Sequence, residues 1–475
     1  MASQADPVTR RPSFFSDLRC VLGEPGFRRL FATRLISQSG DGIFTAGFGA
    51  YVFFSAQTYP DPAAAAAAFA VLYLPYSLVG PFAGVFIDRW SRRQILVASA
   101  GIRGALTSVT ALLIASGSLG VPLYASALAV LAVNRFFLSA LSASLPHVVA
   151  RDELVMANSV SPTLGGLAST AAGVAGVGMR LALGGGHAAA AVIVLAAGAC
   201  YLLAGCTALA MRRGQLGPVR EPGEPPPPPL AAALAVVVRG LAAGIAYLSR
   251  RRAPASALGA LGAFRVLYGI VFLMGILLYR NYFYSERQAS AALSHFTILV
   301  IASAAGYGLA AVVSPPVTRR IPKHAWIVIL LAMAGAVMGP LGALFRQVPF
   351  LAAGFSLGLA GQGVAISATT IIQEDVADTY RGRAFALYDM MFNALFVGGA
   401  FLGALVMPVS GRSYPLIAVV AGGYVLAAAG YAACQRSPAG GSLPAGPAGG
   451  TGPSGPAGAL PAGAPGASVP PGGPT

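Results

Sequence analysis

Long apolar runs separated by short polar segments restrict the fold of this chain more than any other feature. Each run is about 20–27 residues long, which is the length that an α-helix needs to cross the hydrocarbon core of a bilayer. Of the 475 residues, 56% are hydrophobic and 10% are charged, whereas soluble domains carry about 25% charged residues. Lipid admits only helices and closed barrels, and the runs lack the alternation of barrel strands. The sequence therefore predicts an all-α polytopic membrane protein.

Twelve such runs form two sets of six, with a long polar stretch between the sets. The stretch, 212–253, contains the proline run Pro225–Pro229 and continues into Leu230–Arg252, which we expect to lie along the membrane surface. The predicted spans are 29–55, 63–87, 94–116, 121–145, 154–181, 188–211, 254–280, 291–317, 324–346, 348–372, 383–409 and 413–434. The predicted segments are a cytoplasmic start (1–28), an N-terminal half (29–211), the linker (212–253), a C-terminal half (254–436) and a disordered tail rich in Pro and Gly (437–475).

Basic residues concentrate in the segments on one side of the predicted bundle. The net charge of +16 therefore follows from membrane topology, because loops rich in arginine stay on the cytoplasmic side. This distribution predicts no nucleic-acid partner. It predicts a multi-pass protein of the cell membrane with both termini in the cytoplasm.

The segment between the second and third runs reads Gly84-Val85-Phe86-Ile87-Asp88-Arg89-Trp90-Ser91-Arg92-Arg93. This Gly-x-x-x-Asp-Arg-x-x-Arg-Arg turn between two membrane helices resembles the signature loop of the major facilitator superfamily of secondary transporters. Ser91 stands where the family usually has a second glycine. The resemblance implies twelve helices in two six-helix pseudo-repeats, with alternating access between them. It also implies a cytoplasmic gate that includes Gly84, Asp88, Arg89, Arg92 and Arg93.

A second loop indicates which branch of the superfamily the chain resembles. The loop after the tenth run contains Arg381-Gly382-Arg383, and Leu145-Pro146-His147 follows the fourth run. Both segments resemble the efflux branch that includes enterobactin and macrolide exporters. In that branch Arg-Gly-Arg begins the eleventh span, so Arg381, Gly382 and Arg383 are predicted to join Asp88 in the gate.

Four ionisable residues lie near the middle of predicted spans, namely Asp41, Arg103, Arg135 and Arg265. Each is roughly 9–12 residues, or about 14–18 Å, from the cytoplasmic end of its helix. Ionisable groups at this depth are costly and mark functional sites. Four charges at one depth predict a shared central cavity. Asp389 lies further along span 11 and is a candidate either for the same cavity or for the gate network. The candidate lining residues are Tyr268, Gln362 and Asn393.

These charges allow more than one role. Asp41 is either an acid for proton coupling or substrate binding, or a structural ion-pair partner of Arg103 or Arg135. Arg135 resembles the span-4 arginine of proton-coupled members of the family, and its alternative role is to pair with Asp88 or Asp41. Arg103 and Arg265 either bind an anionic substrate group or extend to the membrane surface. Three arginines against one aspartate predict a positive cavity and an anionic substrate.

These features predict a secondary active transporter of small molecules. The first hypothesis is a proton-coupled exporter of drugs, siderophores or secondary metabolites. An importer on the same fold is the alternative, since direction depends on coupling, and a non-transporting membrane sensor is a third. The sequence has no nucleotide loop and no cluster with metal-ligand spacing, so it predicts no enzyme activity, cofactor or metal. The predicted partners are the substrate, protons and the lipid bilayer, and by analogy with the fold we expect a monomer.

Overall fold

The computed structural model describes residues 22–54, 62–78, 80–87, 89–150, 154–217 and 228–436, and in these ranges every regular element is a helix. Asp88 and the predicted tail lie outside the described residues. The α-helices of the described residues are α1 (Pro25–Phe54), α2 (Pro62–Leu78), α3 (Gly80–Ile87), α4 (Arg92–Ala115), α5 (Val121–Ser144), α6 (Leu154–Ala182), α7 (Gly186–Leu209), α8 (Leu230–Ser249), α9 (Arg252–Leu277), α10 (Ala289–Thr318), α11 (Lys323–Ala343), α12 (Gln347–Asp375), α13 (Asp378–Val406) and α14 (Tyr414–Arg436).

Each predicted span falls on one of these helices, with α2 and α3 together covering the second span. Among the described residues, ten helices are long and apolar enough to cross a membrane. Helix α1 is not among the ten, and Arg34, Gln38 and Asp41 lower its hydropathy. The prediction of an all-α polytopic membrane protein is confirmed.

The two sets of helices pack in the same order. In the first half α1 packs on α6 and α7, while α4 packs on α5 and α7. In the second half α9 packs on α13 and α14, while α11 packs on α12 and α14. The second arrangement repeats the first helix by helix, as expected for two related six-helix repeats.

Glycines allow the closest helix crossings in both halves. A Cβ on Gly42 of α1 would lie 1.9 Å from the carbonyl oxygen of Ser169 on α6. In the second half, a Cβ on Gly269 of α9 would lie 2.1 Å from the carbonyl oxygen of Phe396 on α13. No side chain fits at such distances, so glycine is required for the backbones to approach this closely.

The two halves meet through aromatic side chains. We call the end of the bundle where α4 and α13 begin the arginine-rich end. Towards the opposite end, the ring of Phe69 lies 4.6 Å from that of Phe396 and 5.3 Å from that of Phe272, measured between centroids. Phe54, the last residue of α1, lies 5.3 Å from Phe296 of α10. These contacts bring the halves together near the opposite end.

Helix α8 runs across the arginine-rich end of the bundle. Arg89 donates a hydrogen bond to the carbonyl oxygen of Pro228, just before α8 begins. Near the other end of α8, Tyr247 stacks on Tyr380 with centroids 4.2 Å apart. Both ends of α8 therefore contact the same end of the bundle, although the helix is long and apolar enough to cross a membrane. This is where the sequence predicts a surface helix.

Candidate functional site

Asp41 forms the centre of a buried polar network inside the N-terminal half. The Arg103 guanidinium forms an ion pair with Asp41 and donates a second hydrogen bond to Ser37 Oγ at 2.8 Å. Asn134 Nδ2 donates to Asp41 Oδ2 at 3.1 Å, and the Tyr201 hydroxyl donates to Oδ1 at 3.2 Å. Arg103 is fully buried and Asp41 is 8% exposed. Helices α1, α4, α5 and α7 therefore meet around one carboxylate that has three donors.

The Arg103 guanidinium is also held by aromatic faces. Its carbon lies 3.5 Å from the ring centroid of Tyr201 and 5.7 Å from that of Phe137. Cation–π contacts of this kind are stronger when both groups are desolvated. Arg103 thus has a charge partner and two aromatic neighbours within the bundle, and it does not extend to the membrane surface.

The structure does not bring the four predicted midplane charges into one cavity. The Asp41 side chain on α1 contacts Arg103 of α4 and Tyr201 of α7, whereas Gly42 and Thr45 of α1 line the space between the halves. The physical reason is helix rotation: successive residues of a helix point about 100° apart, so equal depth does not mean the same face. Asn134 and Tyr201, which the sequence analysis missed, are neutral and gave no charge signal.

Arg135 takes a different partner from its neighbour Asn134. Its guanidinium lies within electrostatic range of Asp389, which is on α13 in the other half. Asp389 is exposed. It precedes Asn393 by one helical turn on the same face of α13, and Asn393 lines a cavity between the halves. Arg135 and Asp389 thus attract each other from one half to the other, at a longer range than the ion pairs of Arg103 and Lys323.

Arg265 lies in that cavity, surrounded by aromatic rings. Its Nε donates a hydrogen bond to the carbonyl oxygen of Phe392 at 2.7 Å. The guanidinium carbon lies 3.8 Å from the ring centroid of Phe392, 4.1 Å from that of Phe396 and 5.9 Å from that of Tyr268. No carboxylate of a described residue lies within 4.0 Å of this guanidinium. Unlike Arg103, Arg265 therefore has aromatic neighbours but no acidic partner there.

Three cavities adjoin one another around Tyr268 and Phe272. The cavity that contains Arg265 has a volume of about 260 Å³ and also includes Tyr307 and Asn393. A second, of about 260 Å³, lies among α9, α10 and α12, and a third, of about 590 Å³, extends between the halves to α1 and α6. Phe272 lines all three cavities. Together they provide a space large enough for a small organic molecule.

The predicted lining residues lie in or beside this space. Tyr268 and Asn393 line the Arg265 cavity, and the Tyr268 hydroxyl is 3.1 Å from Ser303 Oγ. Gln362 does not line this cavity, but its side chain lies close to that of Tyr307, which lines the cavity. Tyr307 was missed by the sequence analysis because a tyrosine within an apolar run gives no distinctive signal.

The arginines of the predicted gate bind main-chain carbonyl groups. Arg93 donates to the carbonyl oxygen of Leu209 at 2.7 Å, where α7 ends, and Arg92 donates to that of Leu216 at 3.1 Å. Arg381 donates to the carbonyl oxygen of Gln373 at 3.1 Å, near the end of α12. Helix C-termini carry partial negative charge, which favours a cation there. Arg93 and Arg381 therefore stabilise helix ends at the arginine-rich end, whereas Arg92 binds the turn that follows α7.

The other gate residues have fewer contacts. The Arg383 guanidinium lies 5.0 Å from the ring centroid of Tyr380. A Cβ on Gly84 or Gly382 would have no described atom within 4 Å. No described helix therefore approaches Gly84 or Gly382 closely in this conformation. Asp88, the acid of the predicted gate, lies outside the described residues.

Comparisons with known proteins agree with this architecture. No family model matches the chain. Uncharacterised MFS-type transporters of Mycobacterium tuberculosis and Mycobacterium bovis are each 34% identical to it over 397 residues, covering 83% of this chain and 88% of the relative. Among solved structures, a POT peptide transporter has a TM-score of 0.64 at 15% identity, covering 87% of this chain and 94% of its own. A nucleoside transporter has a TM-score of 0.61 at 15% identity, covering 86% and 99%.

A D-xylose–proton symporter has a TM-score of 0.58 at 14% identity, covering 88% of this chain and 97% of its own. These solved structures share the fold, while the mycobacterial relatives share the sequence over most of its length. The transporter names of the relatives support a transport role and not an enzymatic one. The chain is a multi-pass membrane protein that belongs to the major facilitator superfamily.

Proposed function

We propose that this protein is a proton-coupled exporter of small organic molecules, in which Asp389 takes up and releases the proton. The observation that carries the proposal is the electrostatic attraction between Arg135 and Asp389, which lie on helices of different halves. Protonation of Asp389 removes its charge and hence its attraction to Arg135. Because alternating access requires the halves to move apart at one end, this change links proton binding to that movement.

Asp389 suits proton exchange better than Asp41. The Asp41 carboxylate already accepts hydrogen bonds from Arg103, Asn134 and Tyr201 in a buried site. All three donors belong to the N-terminal half, so Asp41 makes no contact of this kind with the other half. Asp389 is exposed on the face of α13 that continues to Asn393. We therefore give Asp41 the structural role.

The direction and orientation follow from loop charge and resemblance. Arginines such as Arg92, Arg93 and Arg381 lie at one end of the bundle, and positive loops remain in the cytoplasm. The arginine-rich end then faces the cytoplasm of the cell membrane, with both termini on that side. The Arg381-Gly382-Arg383 loop resembles the efflux branch, which favours export of drugs, siderophores or secondary metabolites. Import is the alternative direction on the same fold.

Transport by the variant Asp389→Asn tests the proposal. Purified protein in proteoliposomes, given a proton gradient and a panel of anionic and neutral natural products, should show gradient-driven flux. Asn cannot exchange a proton at neutral pH, so Asp389→Asn should lose gradient-driven flux while retaining exchange of substrate across the membrane without a gradient. Asp375→Asn is the matched control, because Asp375 is an exposed acid at the end of α12.

Three outcomes are decisive. Gradient-driven flux in Asp389→Asn equal to that in Asp375→Asn would contradict the role of Asp389. If only Asp41→Asn loses gradient-driven flux and this variant is folded, Asp41 and not Asp389 is the residue that couples proton binding to transport. Accumulation of substrate on the side of the arginine-rich end would show import instead of export.

A further inference from the structure

Arg265 is a cation at the predicted midplane with no acidic partner among the described residues. Its Nε is used by the carbonyl oxygen of Phe392. Its terminal nitrogens form no hydrogen bond to a described residue, and they are not fully buried. Since the side chain lines the cavity, these nitrogens face the cavity. A desolvated cation at this depth is costly unless an anion or a dipole compensates it.

We infer that Arg265 binds the acidic group of an amphipathic organic anion, and that the apolar body of this molecule lies beside Tyr268 and Phe272. The inference rests on the proposed transport function, because it names the class of substrate. The rings of Phe392 and Phe396 lie 3.8 and 4.1 Å from the guanidinium carbon and hold the guanidinium in place. Its free edge then presents the planar fork that matches a carboxylate in a bidentate arrangement.

The residues around Arg265 favour an amphipathic anion over a small hydrophilic one. Polar groups of the Arg265 cavity include Ser303, Tyr307 and Asn393, whereas the adjoining cavity is lined largely by apolar side chains such as Val271, Leu299 and Met338. The adjoining space between the halves contains further aromatic rings. A molecule with its acidic group on Arg265 would therefore place an apolar body in these spaces, which favours burial of apolar area.

The nearby acids do not neutralise Arg265. The two ion pairs found among the described residues are those of Arg103 with Asp41 and of Lys323 with Glu374. Asp389 lies on α13 as well, but the arginine within its electrostatic range is Arg135. Arg135 and Asp389 therefore interact with each other, and the charge of Arg265 stays available to bind a ligand.

Calorimetric titration of the full chain in lipid nanodiscs tests the inference. The probes are naphthalene-1-acetate, its neutral amide and naphthalene-1-ethylamine, which share a ring system and differ in charge. The wild type should bind the carboxylate most tightly. Arg265→Gln should bind it about 10- to 100-fold more weakly, as expected for loss of a charge-assisted hydrogen bond. Arg265→Lys should recover part of this affinity, because it keeps the charge but loses the fork.

Two controls separate a lost site from a misfolded protein. Arg265→Gln should bind the neutral amide with the affinity of the wild type, which requires an intact cavity. Arg346→Gln removes an exposed arginine that lines none of the three cavities, and it should leave binding of all three probes unchanged. Equal affinity of the wild type for carboxylate and amide, or a failure to bind any probe, would overturn the inference. So would a carboxylate preference that persists in Arg265→Gln.

The binding result is independent of coupling. Carboxylate binding that depends on Arg265, without gradient-driven flux, would support the site and contradict the proposed function. Gradient-driven flux, together with carboxylate binding that is unchanged in Arg265→Gln, would support the proposed function and contradict the proposed binding site.

Discussion

Replacing Arg103 by methionine should destabilise the protein by about 3–5 kcal/mol, the usual cost of removing one partner from a buried ion pair. Methionine fills part of the space of the arginine stem but leaves the Asp41 carboxylate charged inside the N-terminal half. Arg103 is fully buried, and its guanidinium contacts Asp41, Ser37 and the ring of Tyr201. Water cannot replace it readily, so the remaining charge is poorly compensated.

Thermal unfolding of purified protein in detergent measures this effect. Arg103→Met should unfold at a lower temperature than the wild type. The double variant Arg103→Met/Asp41→Asn should recover most of the loss, because it removes the unpaired charge while Asn134 and Tyr201 keep an acceptor. Identical unfolding of Arg103→Met and wild type would show that the pair contributes little to stability. Equal loss in the single and double variants would show that the lost packing matters more than the charge.

Alanine at Gly42 should destabilise the bundle by about 1–3 kcal/mol through overpacking. The added methyl group would lie 1.9 Å from the carbonyl oxygen of Ser169, which is a main-chain atom and cannot rotate away. Helices α1 and α6 would have to separate. Gly269→Ala should act similarly in the second half, since its Cβ would lie 2.1 Å from the carbonyl oxygen of Phe396.

Gly101→Ala is the matched control for both glycine variants. Gly101 lies within α4 on an exposed face, where a Cβ would meet no described atom within 4 Å. Alanine is favoured over glycine in a helix interior by roughly 0.5–1 kcal/mol, so this variant should unfold at the same or a slightly higher temperature. The crossing argument fails if Gly42→Ala and Gly101→Ala unfold alike.

The positions of the helices could be predicted from the sequence to a large extent. Run length and hydropathy are local properties, because each membrane helix satisfies its main-chain hydrogen bonds within itself. The predicted span 94–116, for example, falls on α4 at Arg92–Ala115. The loop motif identified the superfamily that the mycobacterial relatives then showed.

The sequence could not predict which of the charged residues pair with each other. Asp41, Arg103, Arg135 and Arg265 lie at similar predicted depth, but depth does not specify the direction of a side chain. The rotation of each helix about its axis depends on its neighbours, and α1 turns Asp41 toward α4 while Gly42 faces α6 and the cavity. Sequence alone left Asp41 with two possible arginine partners, and the structure pairs it with Arg103.

The sequence by itself thus determined that the chain crosses a membrane as helices, which segments do so, and which superfamily loop it carries. Only the tertiary structure decided that Arg103 has a carboxylate partner, that Arg135 acts on Asp389 across the halves, and that Arg265 faces a cavity. The physical reason is range: hydropathy acts within one helix, whereas the environment of a charge depends on residues that are distant in the chain and close in space.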